Sequence, residues 1–125
     1  MPKLFATLPV VLVLFGPVSA AREVSGVWDI DTLWSDSGTH SYPVCTLKQE
    51  NQTVSGGCKD EMGMVIPIIS GEVNDRKLTW EIGATDPNGE KHNAVFTGEL
   101  DEGGTSVKGT VNFDGTAGTF TGKQQ

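Results

Sequence analysis

The stretch Ala94-Val95-Phe96-Thr97-Gly98-Glu99-Leu100-Asp101-Glu102-Gly103-Gly104-Thr105-Ser106-Val107-Lys108-Gly109-Thr110-Val111-Asn112-Phe113-Asp114-Gly115-Thr116-Ala117-Gly118-Thr119-Phe120-Thr121-Gly122 alternates apolar and polar residues and is cut twice by glycine-bearing polar turns. A period of two is the signature of a half-buried strand, and polar Asp/Gly clusters between such runs mark hairpins. Three antiparallel strands in a row are therefore predicted from this stretch alone. Its local motif is an apolar residue, a spacer, Gly, a spacer, and a second residue on the same face.

That motif recurs outward along the chain. The instances are Val24-Gly26-Trp28, Val54-Gly56-Cys58, Ile69-Gly71-Val73, Phe96-Gly98-Leu100, Val107-Gly109-Val111 and Phe120-Gly122-Gln124. Turn clusters separate them at Glu50-Asn51-Gln52, Asn74-Asp75-Arg76-Lys77, Asp86-Pro87-Asn88-Gly89, Asp101-Glu102-Gly103-Gly104 and Asp114-Gly115. Nothing carries a helical period. Eight strands follow, at 24–34, 42–49, 53–59, 65–73, 77–84, 91–100, 105–113 and 116–124.

The turns predict registers. Cys45 falls opposite Cys58, Gly71 opposite Trp80, Phe96 opposite Gly109, Gly109 opposite Phe120, and Val111 opposite Gly118. Glycine in mid-strand weakens a flat sheet, but facing an aromatic ring it lets a sheet curve tightly. The fold class is all-β, an eight-stranded antiparallel up-and-down barrel. An open β-sandwich is the alternative.

Ahead of the strands, Met1-Pro2-Lys3 carries one positive charge, Leu4 to Phe15 is apolar apart from Thr7, and Val18-Ser19-Ala20 supplies small residues. This reads as a signal peptide over 1–20, cut before Ala21, followed by one barrel domain over 21–125. The run is too short for a membrane span, and Pro9 within it and Pro17 just after it break the segment. The residue directly after the cut is Ala21 rather than Cys, so no stable membrane anchor is expected, and the protein is expected to be secreted or periplasmic. The chain has a net charge of −7, and loss of Lys3 makes the mature charge near −8. An acidic surface without a basic stripe argues against nucleic acid as a partner. In an oxidising compartment the two cysteines, Cys45 and Cys58, default to a disulfide rather than a free thiol or half of a metal site.

The inward-facing set is Val24, Trp28, Ile30, Trp34, Cys45, Leu47, Val54, Cys58, Ile69, Val73, Leu78, Trp80, Ile82, Ala94, Phe96, Leu100, Val107, Val111, Phe113 and Phe120. Alternating strand direction puts the turns at 50–52, 74–77 and 101–104 at one end. The longer connections 35–41, 60–64 and 85–91 fall at the other. That second end gathers Trp34, His40, Tyr42, Met62, Met64, His92 and Phe113, and function favours longer loops at a barrel mouth. His92 is a candidate acid or base, with no carboxylate partner visible at a fixed spacing. Asp29 and Asp31 share an outer face, and Asp86-Pro87-Asn88-Gly89 reads as a turn rather than a calcium loop. Asn51-Gln52-Thr53 is a glycosylation acceptor triplet at a hairpin tip. No nucleophile elbow, phosphate loop, dinucleotide fingerprint or metal-ligand cluster is present in the sequence, so neither a cofactor nor a metal is expected.

Gly-x-Trp on the first strand, in Val24-Ser25-Gly26-Val27-Trp28, resembles calycin-type barrels, lipocalins and avidins among them. Val54-Ser55-Gly56, Leu78-Thr79-Trp80 and Phe96-Thr97-Gly98-Glu99 follow in an order similar to avidin. This resemblance implies the barrel fold. It does not carry biotin binding, because no tryptophan stands near Val111 to Phe120, Cys58 occupies the place of the pocket tyrosine, and Ser35 to Ser41 lacks an Asn-Asp-x-Gly-Ser run. Leu47-Lys48-Gln49 with Val54-Ser55-Gly56 is similar to short secreted bacterial barrels of unassigned function. Gly-x-Trp with Cys45-Thr46-Leu47 is similar to periplasmic metalloprotease inhibitors.

The leading functional reading is a non-enzymatic binding protein. It takes a small, largely apolar or aromatic ligand at the barrel mouth through Trp34, Tyr42, Met62, Met64, His92 and Phe113. A second reading is an inhibitor of a secreted protease or other enzyme, acting through Ala21-Arg22-Glu23 or a loop. A third is a cofactor-free cyclase or isomerase in which His92 or Tyr42 moves a proton. A cavity favours the first and third; a packed barrel favours the second.

Overall fold

The computed structural model describes residues 23–125. The expected signal peptide and its cleavage site lie outside the described residues. The strands are β1 (Gly26–Trp34), β2 (His40–Ser41), β3 (Val44–Glu50), β4 (Thr53–Lys59), β5 (Val65–Asn74), β6 (Lys77–Thr85), β7 (Lys91–Leu100), β8 (Ser106–Phe113) and β9 (Thr116–Gln124). Each pairs antiparallel with its sequence neighbour along β3 to β9. β1 closes the ring by pairing with β9 on one side and with β2 and β3 on the other. β2 and β3 are two halves of one stave, interrupted at Tyr42-Pro43. Pro43 has no N–H to donate, yet its carbonyl accepts from the Ile30 amide at 3.0 Å, which holds the broken stave against β1. The result is a closed eight-stave, up-and-down barrel, which leaves no long free edge.

Two kinds of turn connect the staves. Asn51, Asp75 and Asp114 adopt left-handed backbone (φ 57°, 56° and 50°) in two-residue hairpins, a conformation their short polar side chains tolerate. Asp60, Asp86 and Asp101 each open a five-residue loop closed by a left-handed glycine, Gly63, Gly89 and Gly104. In each, the aspartate Oδ1 accepts backbone N–H bonds from the far side of the loop: Met62 and Met64 at 3.0 and 2.9 Å, Asn88 and Glu90 at 2.9 Å, Thr105 and Ser106 at 3.1 and 3.3 Å. Asp86-Pro87-Asn88-Gly89 is thus an Asx-type turn, as its composition suggests.

Four of the five expected registers are present. Cys45 pairs Cys58, Gly71 pairs Trp80, Gly109 pairs Phe120, and Val111 pairs Gly118. The fifth is corrected: Phe96 pairs Val111, and Gly98 pairs Gly109. Across the Asp101 loop Leu100 pairs Val107 rather than Thr105, which slides the register by two and keeps every side chain on its own face. Gly109 is the position where this matters sterically. A Cβ there would collide with the Thr97 carbonyl oxygen, so only glycine allows the two backbones to approach.

The interior is close to the set read from sequence. Seventeen apolar residues are buried in one cluster, among them Trp28, Trp80, Leu78, Leu100 and Phe120. Ile69 is a correction: it is 54% exposed. A bulge between Ile68 and Ser70 inserts one residue into β5, so Ile66 and Ile68 face the core before it and Gly71 and Val73 after it. Trp34 and Phe113, also expected inside, are only half-buried and partly exposed, because both sit where their strands leave the barrel. Thr32 was not in the expected core and is buried there.

Loop length does not distinguish the two ends as expected. The Asp101 loop is as long as the Asp60 and Asp86 loops, and the short Asp114-Gly115 turn lies at the mouth. What closes the other end is the chain before β1. Val24 is fully buried there, its carbonyl accepts from Trp28 Nε1 at 2.9 Å, and its N–H donates to Gln49 Oε1 at 2.8 Å.

Candidate functional site

At the end opposite Val24 the barrel opens into a cavity of about 440 Å³. That lies within the roughly 300–1,000 Å³ common for small-molecule sites. The residues flanking the connections 35–41, 60–64 and 85–91 all contribute, so these loops do surround one mouth: Trp34, Ser41, Asp60, Glu61, Ala84 and His92 lie along its lining. The walls below are apolar, formed by Ile66, Ile82, Ala94, Phe96 and Phe113. Cys58, bridged to Cys45 across β3 and β4, also faces the cavity.

Trp34 ends β1 and is held in place rather than loose. Its amide donates to the Thr39 carbonyl at 2.9 Å, its Nε1 donates to Ser41 Oγ at 3.1 Å, and its ring lies over Gly118, where a Cβ would come within 3.1 Å of it. Phe113 stands across from it, ring centroids 6.2 Å apart and tilted by 57°. The two rings are in tilted contact with each other and form one apolar side of the mouth. Tyr42 lines the cavity edge and is otherwise exposed, stacking on His40 at 5.9 Å, while His40 Nδ1 lies 2.6 Å from Asp31 Oδ1.

Of the six contact residues singled out from sequence, Trp34, Tyr42, His92 and Phe113 line the cavity. Met62 and Met64 do not. They are 92% and 63% exposed, because the Asp60 carboxylate folds their loop on itself and turns both side chains to solvent.

His92 is not the isolated imidazole of the sequence reading. Nε2 lies 2.8 Å from Asp86 Oδ2 and Nδ1 lies 2.7 Å from Asp114 Oδ2. Both ring nitrogens donate when the ring is protonated, so two carboxylates flank one imidazolium. The hydrogen bonds to Asp86 and then Asp114 push the His92 pKa up to about 9. His92 in turn, with backbone amides of the Asp86 loop and of Asn93, holds both aspartates below their ordinary range. The clamp joins the β6–β7 loop to the β8–β9 turn across the mouth. Asp86, Glu90 and His92 also bring ligand-type atoms within 4.8 Å of one another. Both imidazole nitrogens in that set are already engaged by the carboxylates of Asp86 and Asp114.

The clamp predicts a pH dependence. The unfolded imidazole titrates near 6.5 and the folded one at about 9, so the folded state binds the proton more tightly. The clamp's stabilisation is therefore full below about pH 6.5 and is lost as pH rises through about 9. The lowered aspartates act oppositely, contributing above about 3.8 and losing that contribution as pH falls through their lowered values. Thermal unfolding of the wild type should drop between pH 6.5 and 9 more steeply than that of His92→Gln. Parallel profiles would show that the clamp is not formed in solution.

No protein-family model and no curated protein sequence matches the chain. In three dimensions it is similar to a redesigned β-barrel, mFAP1, whose structure was determined bound to DFHBI. The two share 17% identity and a TM-score of 0.55, over 82% of this chain and 94% of that one. The likeness is one of fold: a small β-barrel.

Proposed function

We propose that this is a secreted or periplasmic, non-enzymatic binding protein that takes a small, largely apolar or aromatic ligand into the barrel mouth, with Trp34, Tyr42, His92 and Phe113 as contacts. The observation that carries this reading is the cavity itself: an opening of about 440 Å³ walled by Trp34, Phe113, Phe96, Ile66 and Ile82 where a self-filled barrel would have packed side chains. A barrel of similar fold was determined with DFHBI bound, which supports small-molecule binding as a use of this architecture. The Cys45–Cys58 disulfide is consistent with an oxidising compartment. The proton-transfer alternative loses support at His92, whose two ring nitrogens are both engaged by Asp86 and Asp114. The enzyme-inhibitor alternative loses support because the barrel is not packed to its mouth.

The test is a titration with the neutral apolar dye N-phenyl-1-naphthylamine. Binding beside Trp34 changes the indole fluorescence and brightens the dye. Trp34→Ala should weaken binding by about 1–3 kcal/mol, the loss of one large apolar contact face, while changing stability by no more than about 1 kcal/mol. No saturable binding by the dye would remove the proposal.

A further inference from the structure

The walls of the cavity are apolar, but its opening is charged, and the charge has one sign. Among the described residues, Asp60, Glu61 and His92 line the cavity and no Lys or Arg does. Asp60 and Glu61 follow directly on β4, above Cys58 in the wall. Asp60 Oδ1 accepts from the Met62 and Met64 amides, which fixes that carboxylate at the rim. Neither Asp60 nor Glu61 has a cationic partner among the described residues. Lys59 and Lys91, next to the lining residues Cys58 and His92, are exposed and fall on the outer face by strand alternation, so they do not neutralise the opening.

Across the mouth, His92 stands between Asp86 and Asp114, and that trio is net negative whether or not the ring is protonated. Carboxylates on two sides of one opening, set against low-dielectric walls, focus a negative potential there. An anion meets repulsion at this rim, and a cation meets two carboxylates that have no other cationic partner.

Resting on the binding reading above, we infer that the ligand is an amphiphilic monocation, an aromatic body carrying an ammonium group. The body enters among Ile66, Ile82, Ala94 and Phe96, and the ammonium stays at the rim with Asp60 and Glu61. This placement divides the ligand as the cavity is divided. The apolar part leaves water, while the ammonium keeps part of its hydration and escapes the cost of burying a charge. A cavity of about 440 Å³ accepts a body of two fused rings.

Calorimetric titration at neutral pH and low salt, with three probes built on one ring system, tests this. 2-Naphthylmethylamine, protonated under these conditions, should bind the wild type about fivefold more tightly than its neutral isostere 2-naphthalenemethanol, the effect of two partly solvated ion pairs. 2-Naphthoate should bind at least fivefold more weakly than the alcohol. High salt should shrink the preference for the amine, because the rim is solvated and screened. Glu61→Gln combined with Asp60→Asn should lower the affinity for the amine about fivefold more than that for the alcohol; the asparagine Oδ1 can still accept from the Met62 and Met64 amides. Glu61→Gln alone, at an exposed position, should remove about half of the preference on a logarithmic scale and keeps the test open if the double variant fails to fold. If the amine and the alcohol bind the wild type equally, or the preference survives in the variants, the cationic ligand is overturned while the cavity remains a binding site. If naphthoate equals the alcohol, the negative rim is overturned as a selector. If no probe binds, the binding reading falls and this inference with it.

Discussion

Trp80→Ala is expected to destabilise the barrel by about 3–5 kcal/mol, the range for removing a large aromatic from a core that cannot collapse. Trp80 is 1% exposed. Its ring stacks on Phe96 at 4.8 Å with an interplanar angle of 6°, and meets Phe120 edge-on at 5.5 Å; Phe96 and Phe120 meet edge-on at 5.2 Å. These three rings come from β6, β7 and β9 and tie one side of the barrel to the other. Trp80 Nε1 has no partner among the described residues, so the substitution breaks no hydrogen bond and the cost is the lost packing and the void. The strands around the void are fixed by ladders on both sides, and glycines bring backbones so close at Gly71 and Gly98 that little further inward movement is available. Urea unfolding reads the effect as a lower midpoint at an unchanged slope. A loss below about 1.5 kcal/mol would mean that the barrel relaxes around the cavity. The same substitution has a functional consequence. Phe96 stacks on Trp80 and also lines the cavity, so Trp80→Ala should also weaken dye binding, whereas Trp80→Phe should preserve most of it.

The contrast with Trp34 shows how far the sequence carried the distinction between packing and binding. Both tryptophans lie on inward faces by period. Only position along the strand separates them, and Trp34 is the last residue of β1 whereas Trp80 is mid-strand. That placement was readable because the turn chemistry fixes where strands end. Registers across Asn51-Gln52, Asp75-Arg76 and Asp114-Gly115 were readable for the same reason: a two-residue hairpin admits one pairing. The register across Asp101 was not, since the aspartate carboxylate organises a longer loop through side-chain bonds that no period reveals. Ile69 was misplaced because a bulge shifts the phase of β5 without any mark in its composition. The Asp86–His92–Asp114 clamp was invisible for a different reason. Asp114 stands 22 residues from His92, and only the β7–β8 register brings them together. Thr32 was legible in principle, falling in phase with Trp28, Ile30 and Trp34. A polar residue in an apolar series is a signal in its own right.

Replacing both cysteines, Cys45→Ala with Cys58→Ala, is expected to cost about 3 kcal/mol. The two residues pair directly across β3 and β4 and are separated by 13 positions, so the bridge closes a short loop. Loop-closure entropy for such a length is worth about 3 kcal/mol, less than a bridge spanning the whole chain would give. Both residues are buried, so alanine also vacates sulfur volume in the wall of the cavity. Against that loss stand seven paired positions between β3 and β4 and the left-handed Asn51 turn, which preserve the hairpin without the bridge. The expected result is therefore a lower urea midpoint for the double variant, and the same shift for the wild type under reducing conditions, with the barrel still folded in water. Dye binding should fall only about twofold to fivefold, because Cys58 supplies one patch of wall and Trp34 and Phe113 lie on other strands. Identical midpoints for reduced and oxidised protein would show that the β3–β4 hairpin persists in the unfolded chain, since a bridge stabilises only to the extent that it restricts that chain.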